Sequence, residues 1–263
     1  WLDLFFFRLQ PIEIIKPFFV LVTASLICNE KSSKFGYSHF ISLLLLCLII
    51  ILLLYQPDIG QSILLIITWI SLIFISGISI IYILSIFFLL ILVSLFLLTM
   101  FPEKFGYITQ RLTTFFDPSK GDSFQSDKAL AAIKQGGLKG QGMGEGILKD
   151  SVPEAHTDYI IAVITEEFGS IISIFVTLIF LYISYKIIKN CFNIKDKNSK
   201  ISLCGLSALL IFQTFIHIGV NTSLLPTTGM TLPFLSYGGS SLIGSSILAG
   251  VILNYTKNRF DNE

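Results

Sequence analysis

Residues 40–102 read FISLLLLCLIIILLLYQPDIGQSILLIITWISLIFISGISIIYILSIFFLLILVSLFLLTMFP, and Asp58 is the one charged residue in that stretch of 63. A hydrocarbon core about 30 Å thick takes roughly 20 apolar residues per helix. The run is therefore long enough for about three crossings. It is punctuated twice, at Gln56-Pro57-Asp58-Ile59-Gly60 and at Ser76-Gly77-Ile78-Ser79. Pro and Gly are tolerated inside membrane helices, but here they cluster with polar residues and read as turns. The spans expected are 40–55, 61–76 and 79–100.

The rest of the chain agrees with that reading. Of its 263 residues, 53% are hydrophobic and only 13% charged, where soluble domains run at about a quarter. Mean hydropathy is +0.79. Further apolar runs lie at 11–28, 159–185, 201–224 and 235–255, which makes seven helices. Short loops rich in Lys and Arg stay in the cytoplasm, which places 29–39, 186–200 and 256–263 inside. The segments 1–9, 56–60, 101–156 and 225–234 then fall outside without contradiction. The long loop 101–156 carries seven basic residues, but long loops cross largely regardless of charge. The expected fold is an all-α polytopic membrane protein, one membrane domain over 1–263 with a large extracytoplasmic loop at 101–156. The first residue is Trp1 rather than methionine, which suggests a fragment or processed product. A net charge of +1 gives no footprint for nucleic acid. The four cysteines show no Cys-x-x-Cys spacing, so neither a zinc site nor a disulfide framework is expected.

The polar residues gather in a few places. Glu13 and Lys16 share a helix face near the outer surface. They read either as an interfacial ion pair with Lys16 snorkelling outward or as a charged pair lining a polar cavity. Asp58 is placed to cap the helix that follows it. Residues 136–146 hold six glycines without the phosphate-loop or dinucleotide spacing, which leaves a flexible hinge or a backbone platform for anions. Next comes Pro153-Glu154-Ala155-His156-Thr157-Asp158. Asp158 is either an N-cap or a general base at the membrane surface, and His156 reads more readily as a hydrogen-bond partner. Glu166 and Glu167 lie deeper, either within the span or on a short helix that dips and turns, and need polar partners such as backbone or Lys16. Ser236, Tyr237, Gly238, Gly239 and Ser240 allow close helix packing and offer donors to a substrate. His217, in mid-span, reads as a helix–helix hydrogen bond.

Seven motifs run in one order along nearly the whole chain. They are Gln10-Pro-x-Glu-x-x-Lys16, Gln56-Pro-Asp-Ile-Gly60, RLTTFFDP from Arg111 to Pro118, Gly142-Met-Gly-Glu-Gly-Ile-Leu-Lys149, Pro153-Glu-Ala-His-Thr-Asp158, Glu166-Glu-Phe-Gly169 and Leu232-Pro-Phe-Leu-Ser-Tyr-Gly-Gly-Ser-Ser241. In these the chain resembles the SEDS family (shape, elongation, division and sporulation) of peptidoglycan glycosyltransferases, and its cell-division branch more than its elongation branch.

The resemblance implies a ten-helix protein, of which seven helices are encoded here and three would precede them. It implies polymerisation of lipid II into glycan strands at the outer face of the bacterial inner membrane, at the division septum. Asp158 would be the catalytic base of an inverting reaction. Glu13 and Lys16 would line the same cavity, with Glu154, His156 and the 236–240 segment contacting substrate. Arg111 and Lys149 are the expected diphosphate contacts; Asp58, Glu166 and Glu167 are expected to support the site. A divalent cation, Mg²⁺ or Mn²⁺, is implied with ligands that the sequence does not name. The implied partners are lipid II, the nascent glycan strand, a class B penicillin-binding transpeptidase and other divisome proteins. The rival readings are a lipid II flippase, the elongation-type polymerase and a scaffold that only recruits a transpeptidase. Transporters usually place their sites near the midplane, whereas most polar residues here cluster outside.

Overall fold

The structure is a computed structural model that describes residues 2–4, 7–28, 35–117, 119, 121, 123–147 and 151–257. Trp1, loop residues 29–34, Lys149 and Arg259 lie outside the described residues. A short antiparallel hairpin, β1 (Leu2–Leu4) and β2 (Phe7–Leu9), pairs Leu2 with Leu9 and Leu4 with Phe7. Helices follow at α1 (Pro11–Cys28), α2 (Tyr37–Tyr55), α3 (Ile59–Ile75), α4 (Ile80–Met100), α5 (Pro102–Phe116), α6 (Phe124–Gly136), α7 (Ile160–Phe168), α8 (Ser170–Cys191), α9 (Lys197–Asn221) and α10 (Gly239–Thr256). Five of them (α1, α2, α4, α8 and α9) are long and apolar enough to cross a membrane, and α3 is an apolar helix of 17 residues. The chain is a polytopic helical membrane protein. Each of the seven expected spans contains a helix, although that at 159–185 is broken and α10, Gly239–Thr256, is not among the five.

The turns fall where the punctuation puts them. Asp58 caps α3, its carboxylate accepting from the Gln61 N–H at 3.1 Å. Gly77, at φ +92°, ends the run between α3 and α4. Hydroxyls inside the apolar helices bond back one turn, as Thr68 does to the Leu64 carbonyl and Ser71 to Ile67. Such bonds satisfy hydroxyls that lipid could not.

Helix α9 is the hub and packs on α1, α3, α8 and α10. Small residues let it in: a Cβ at Gly205 would lie 2.4 Å from Leu72 of α3 and 2.8 Å from Val20 of α1. One buried polar cluster ties these helices together. Lys16 Nζ sits 2.8 Å from Glu13 Oε2 and donates to Gln213 Oε1 of α9 at 3.1 Å. Gln61 Nε2 of α3 donates to Glu13 Oε1 at 2.6 Å. Lys16 is 2% exposed and does not snorkel. By contrast α4 has no buried residue.

Three features depart from the expectations. The loop 101–156 contains two helices, α5 and α6, and the N-terminal segment forms a hairpin. The span expected over 159–185 is two helices, broken at Gly169, so Glu166 and Glu167 lie on the short helix α7. The glycines near 140 explain the break. Gln141 N donates to the Glu166 carbonyl at 2.9 Å and Gly142 N to the Glu167 carbonyl at 3.0 Å, while Ser170 N donates to Gly137 O at 2.9 Å. The glycine loop is thus neither hinge nor anion platform. It is a clasp that satisfies the last carbonyls of α7. Backbone touches backbone there: a Cβ at Gly140 would lie 2.2 Å from the Glu167 carbonyl oxygen, and one at Gly169 2.2 Å from that of Leu138. Both residues have positive φ, +77° and +86°.

Gly140→Ala and Gly169→Ala are each expected to destabilise the protein by at least about 1–3 kcal/mol, read as loss of thermal stability in detergent. Gly106→Ala, in open space on α5, serves as the control and should be neutral or stabilising. Lys16→Met leaves Glu13 buried without its cation and should cost about 3–5 kcal/mol in the same assay; stability equal to the wild type would show that the pair does not hold the helices.

Candidate active site

Five segments meet at one end of the bundle around a cavity of about 360 Å³. Helix α1 brings Gln10 and Glu13, and the α2–α3 turn brings Gln56, Pro57 and Asp58. Helix α5 reaches in with Arg111, and the loop before α7 brings Glu154, Thr157 and Asp158. The chain between α9 and α10 closes it with Gly229, Thr231 and residues 237–241. The segments assigned to one side of the membrane by loop charge therefore share a cavity.

Asp158 is held by its backbone while its side chain is left free. Glu154, at φ +54°, turns the chain so that its carbonyl accepts from the N–H groups of Thr157, Asp158 and Tyr159 at 3.1, 3.0 and 3.3 Å. Asn221, at the end of α9, donates to the Asp158 carbonyl at 2.9 Å and accepts from the Ala162 N–H at 3.1 Å. Asn221 thereby does the capping that Asp158 could have done. Tyr159 is the residue that precedes α7, and among the described residues the Asp158 carboxylate makes no hydrogen bond. Gly229 keeps room in front of it, since a Cβ there would come within 3.3 Å of Oδ2. Burial, then the nearby Glu154 and Asp58 carboxylates, push Asp158 up to about 7, against a smaller pull from Arg111. Burial also raises Asp58, eased by its bond from the Gln61 N–H.

Eight of the expected site residues line this cavity: Glu13, Arg111, Glu154, Asp158, Tyr237, Gly238, Gly239 and Ser240. Asp58, expected only as support, lines it as well as capping α3. Arg111 Nη1 donates to the Thr227 carbonyl at 3.1 Å and so bridges α5 to the α9–α10 segment. Tyr237 is 81% exposed at the rim. Ser240 Oγ accepts from Gln10 N at 2.8 Å.

Other expected residues lie elsewhere. Lys16 sits beneath the cavity, paired to Glu13. Ser236 is a strut, accepting from Leu232 N at 2.7 Å and donating to the Thr157 carbonyl at 2.6 Å. The exposed His156 contributes its carbonyl to the Tyr237 N–H at 2.8 Å. Glu166, fully buried, lies against Gly146, away from the cavity, and the ion pair that Lys16 makes is with Glu13. Lys149 is outside the described residues. His217, at Nδ1, hydrogen-bonds the Met230 carbonyl at 2.7 Å, which is a contact to a neighbouring segment rather than a relay.

Gln10, Gln61, Gln213 and Asn221 were not singled out from the sequence, and all four matter. Gln10 Nε2 donates to Asp58 Oδ2 at 3.1 Å. Gln213, His217 and Asn221 recur every four residues within an apolar span, so one polar stripe runs down a single face of α9. That periodicity was the available signal.

No three His, Cys, Asp or Glu side chains among the described residues close on a point that could hold a metal. Mg²⁺ is commonly held by only one or two carboxylates together with substrate phosphates, and Asp58 and Glu154 flank the cavity in a position to serve.

The FTSW_RODA_SPOVE family model, described as cell cycle protein, matches residues 1–260. Among curated relatives, the chain is 33% identical to the probable peptidoglycan glycosyltransferase FtsW of Caulobacter vibrioides, covering 98% of this chain and 65% of that protein. It is 35% identical to the protein of the same name from Coxiella burnetii, covering 96% and 69%. The chain thus spans about 65% of the length of the first of these. Among solved structures, one reported under the heading of coordinated polymerization and crosslinking by a peptidoglycan synthase complex superposes with a TM-score of 0.78 at 22% identity, covering all of this chain and 74% of that one. Thermus thermophilus rod shape determining protein RodA superposes at 0.65, also at 22% identity, covering all of this chain and 70% of RodA. Fold, motif order and sequence identity agree: the chain belongs to the FtsW/RodA/SpoVE family of cell cycle proteins.

Proposed function

We propose that the protein containing this chain polymerises lipid II into glycan strands by an inverting glycosyl transfer, with Asp158 as general base. The observation that carries this reading is the Asp158 carboxylate itself. It is fixed through its backbone, unbonded at its side chain, and balanced near neutrality within a cavity that also holds Arg111. A base works best when its pKa lies near the operating pH. Asp158 takes the proton of an acceptor sugar hydroxyl. That oxygen forms a bond to the anomeric carbon of the donor, and the bond from that carbon to the lipid diphosphate breaks with inversion. Arg111 and the N-terminus of α10, where Gly238, Gly239, Ser240 and Ser241 line the cavity, meet the charge that develops on the departing diphosphate. Asp58 and Glu154 would hold a divalent cation carried by that diphosphate. What a bound Mg²⁺ or Mn²⁺ supplies is neutralisation of phosphate charge.

The same reading places the cavity on the outer face of the bacterial inner membrane, at the septum, since the loop charges put this end outside and the family model is described as cell cycle protein. A class B penicillin-binding transpeptidase is the proposed partner, in keeping with a structural relative described as coordinating polymerization with crosslinking.

Purified protein with its partner, given labelled lipid II and a divalent cation, should form polymer. Asp158→Asn should lower the rate by at least about 100-fold with thermal stability unchanged, and polymerisation surviving that substitution would remove Asp158 from the reaction. The rate of the wild type should rise with pH through about 7, as the raised carboxyl loses its proton and becomes a base. Without a bound cation, Glu154→Gln removes a neighbouring negative charge, favours the ionised form, and should lower the midpoint read by direct titration of the Asp158 carboxyl; a midpoint that stays in place would show that Glu154 does not act on Asp158.

A further inference from the structure

Arg111 belongs to two cavities. On one side lies the Asp158 cavity. On the other lies a polar cavity of about 440 Å³, walled by α5, α6 and the turn after α9. Its wall carries hydroxyls and amides from Gln110, Thr114, Gln125 and Ser126, together with the aromatic side chains of Tyr107 and Phe115. Hydroxyl and amide groups both donate and accept, and an aromatic face covers the apolar side of a sugar ring.

Two further observations point to a ligand. Tyr107 and Ser223 are residues of this wall, and their hydroxyls are buried without a hydrogen-bond partner among the described residues. Buried polar groups are nearly always paired, and exceptions call for a reason. Ser223 also stands at φ +54°, just past the end of α9. That position ordinarily takes glycine, which would have no hydroxyl to offer. Residues held in such conformations cluster where ligands bind.

We propose that this second cavity is a saccharide subsite, holding the glycan of one substrate across Arg111 from the Asp158 cavity. The inference rests on the glycosyl-transfer reading above. That chemistry needs two glycans brought to one point, with the diphosphate of the donor beside a cation. A cavity of 360 Å³ on one side of Arg111 and one of 440 Å³ on the other provide two adjoining places. The glycan is either the growing strand or the incoming lipid-linked unit, and the chemistry on the wall is the same for both.

Two variants of the full chain test this with labelled lipid II. Tyr107→Phe removes only the unpaired hydroxyl. It should fold at least as stably as the wild type, because a buried group without a partner is deleted. It should nevertheless weaken glycan handling about 3- to 10-fold, the worth of one hydrogen bond. A role confined to folding would not give that opposition of stability and activity. Ser126→Trp fills the cavity from α6. If the growing strand lies there, dimer formation persists and product chains shorten. If the incoming unit lies there, KM for lipid II rises in the first coupling. Either result supports the subsite and names its occupant. Wild-type KM, rate and chain length in Tyr107→Phe would overturn it, and that variant decides the matter if Ser126→Trp does not fold. Asp158→Asn run in parallel separates the two readings. Retained polymerisation there would count against the base, while loss there with unaltered Tyr107→Phe and Ser126→Trp would count against the subsite alone.

Discussion

The bundle depends on the ion pair between Lys16 and Glu13. Both side chains lie at least 97% out of contact with solvent, inside a protein whose surroundings are largely apolar. Removing two charges from water is costly, and their attraction offsets the cost only when every remaining donor and acceptor has a partner. Gln61 and Gln213 supply one such bond each from two other helices, to Glu13 Oε1 and from Lys16 Nζ. The pair therefore does more than join two residues one helical turn apart. It fixes how α1, α3 and α9 are rotated about their axes, since a turned helix would leave a charge unpaired. The cavity above inherits that arrangement, because Glu13 is a member of both.

The stripe of polar groups on α9 carries the same constraint outward. Gln213 reaches the Thr231 carbonyl at 2.9 Å, His217 the Met230 carbonyl and Asn221 the Asp158 carbonyl. One straight helix thus sets the position of the α9–α10 segment and of the loop before α7 together. These contacts are to backbone, which leaves the Asp158 carboxylate free. A side chain that carried its own structural bonds would be less available for proton transfer.

The helices of the bundle were legible because apolar length and loop charge act locally along the chain. Residues 11–28 were read to the residue, and Asp58 was read as a cap because capping needs only its own following turn. The convergence of Glu13, Arg111, Glu154 and Asp158 became legible through the order of motifs rather than through spacing. What the sequence hides has two causes. The glycines near 140 looked free because their partners are the carbonyls of Glu166 and Glu167, some 25 residues on. Helix α5 is invisible to average hydropathy because it is amphipathic; its signal is the spacing of Phe105, Ile108, Leu112 and Phe115 along one face. Asn221 was passed over because its partners lie 59 and 63 residues away.

The clasp between Gly137 and Ser170 has a consequence for biosynthesis. Asp158 lies within the segment that these two residues close, and one side of the closure is the first turn of α8. As the chain emerges, α5, α6 and the loop carrying Asp158 are made before α8 exists. The site has no reason to hold its shape at that stage. Insertion of α8 brings Ser170 to Gly137 and draws the loop shut, and the contacts from Asn221 and Ser236 that hold Asp158 and its neighbour form only when α9 and the segment after it have followed.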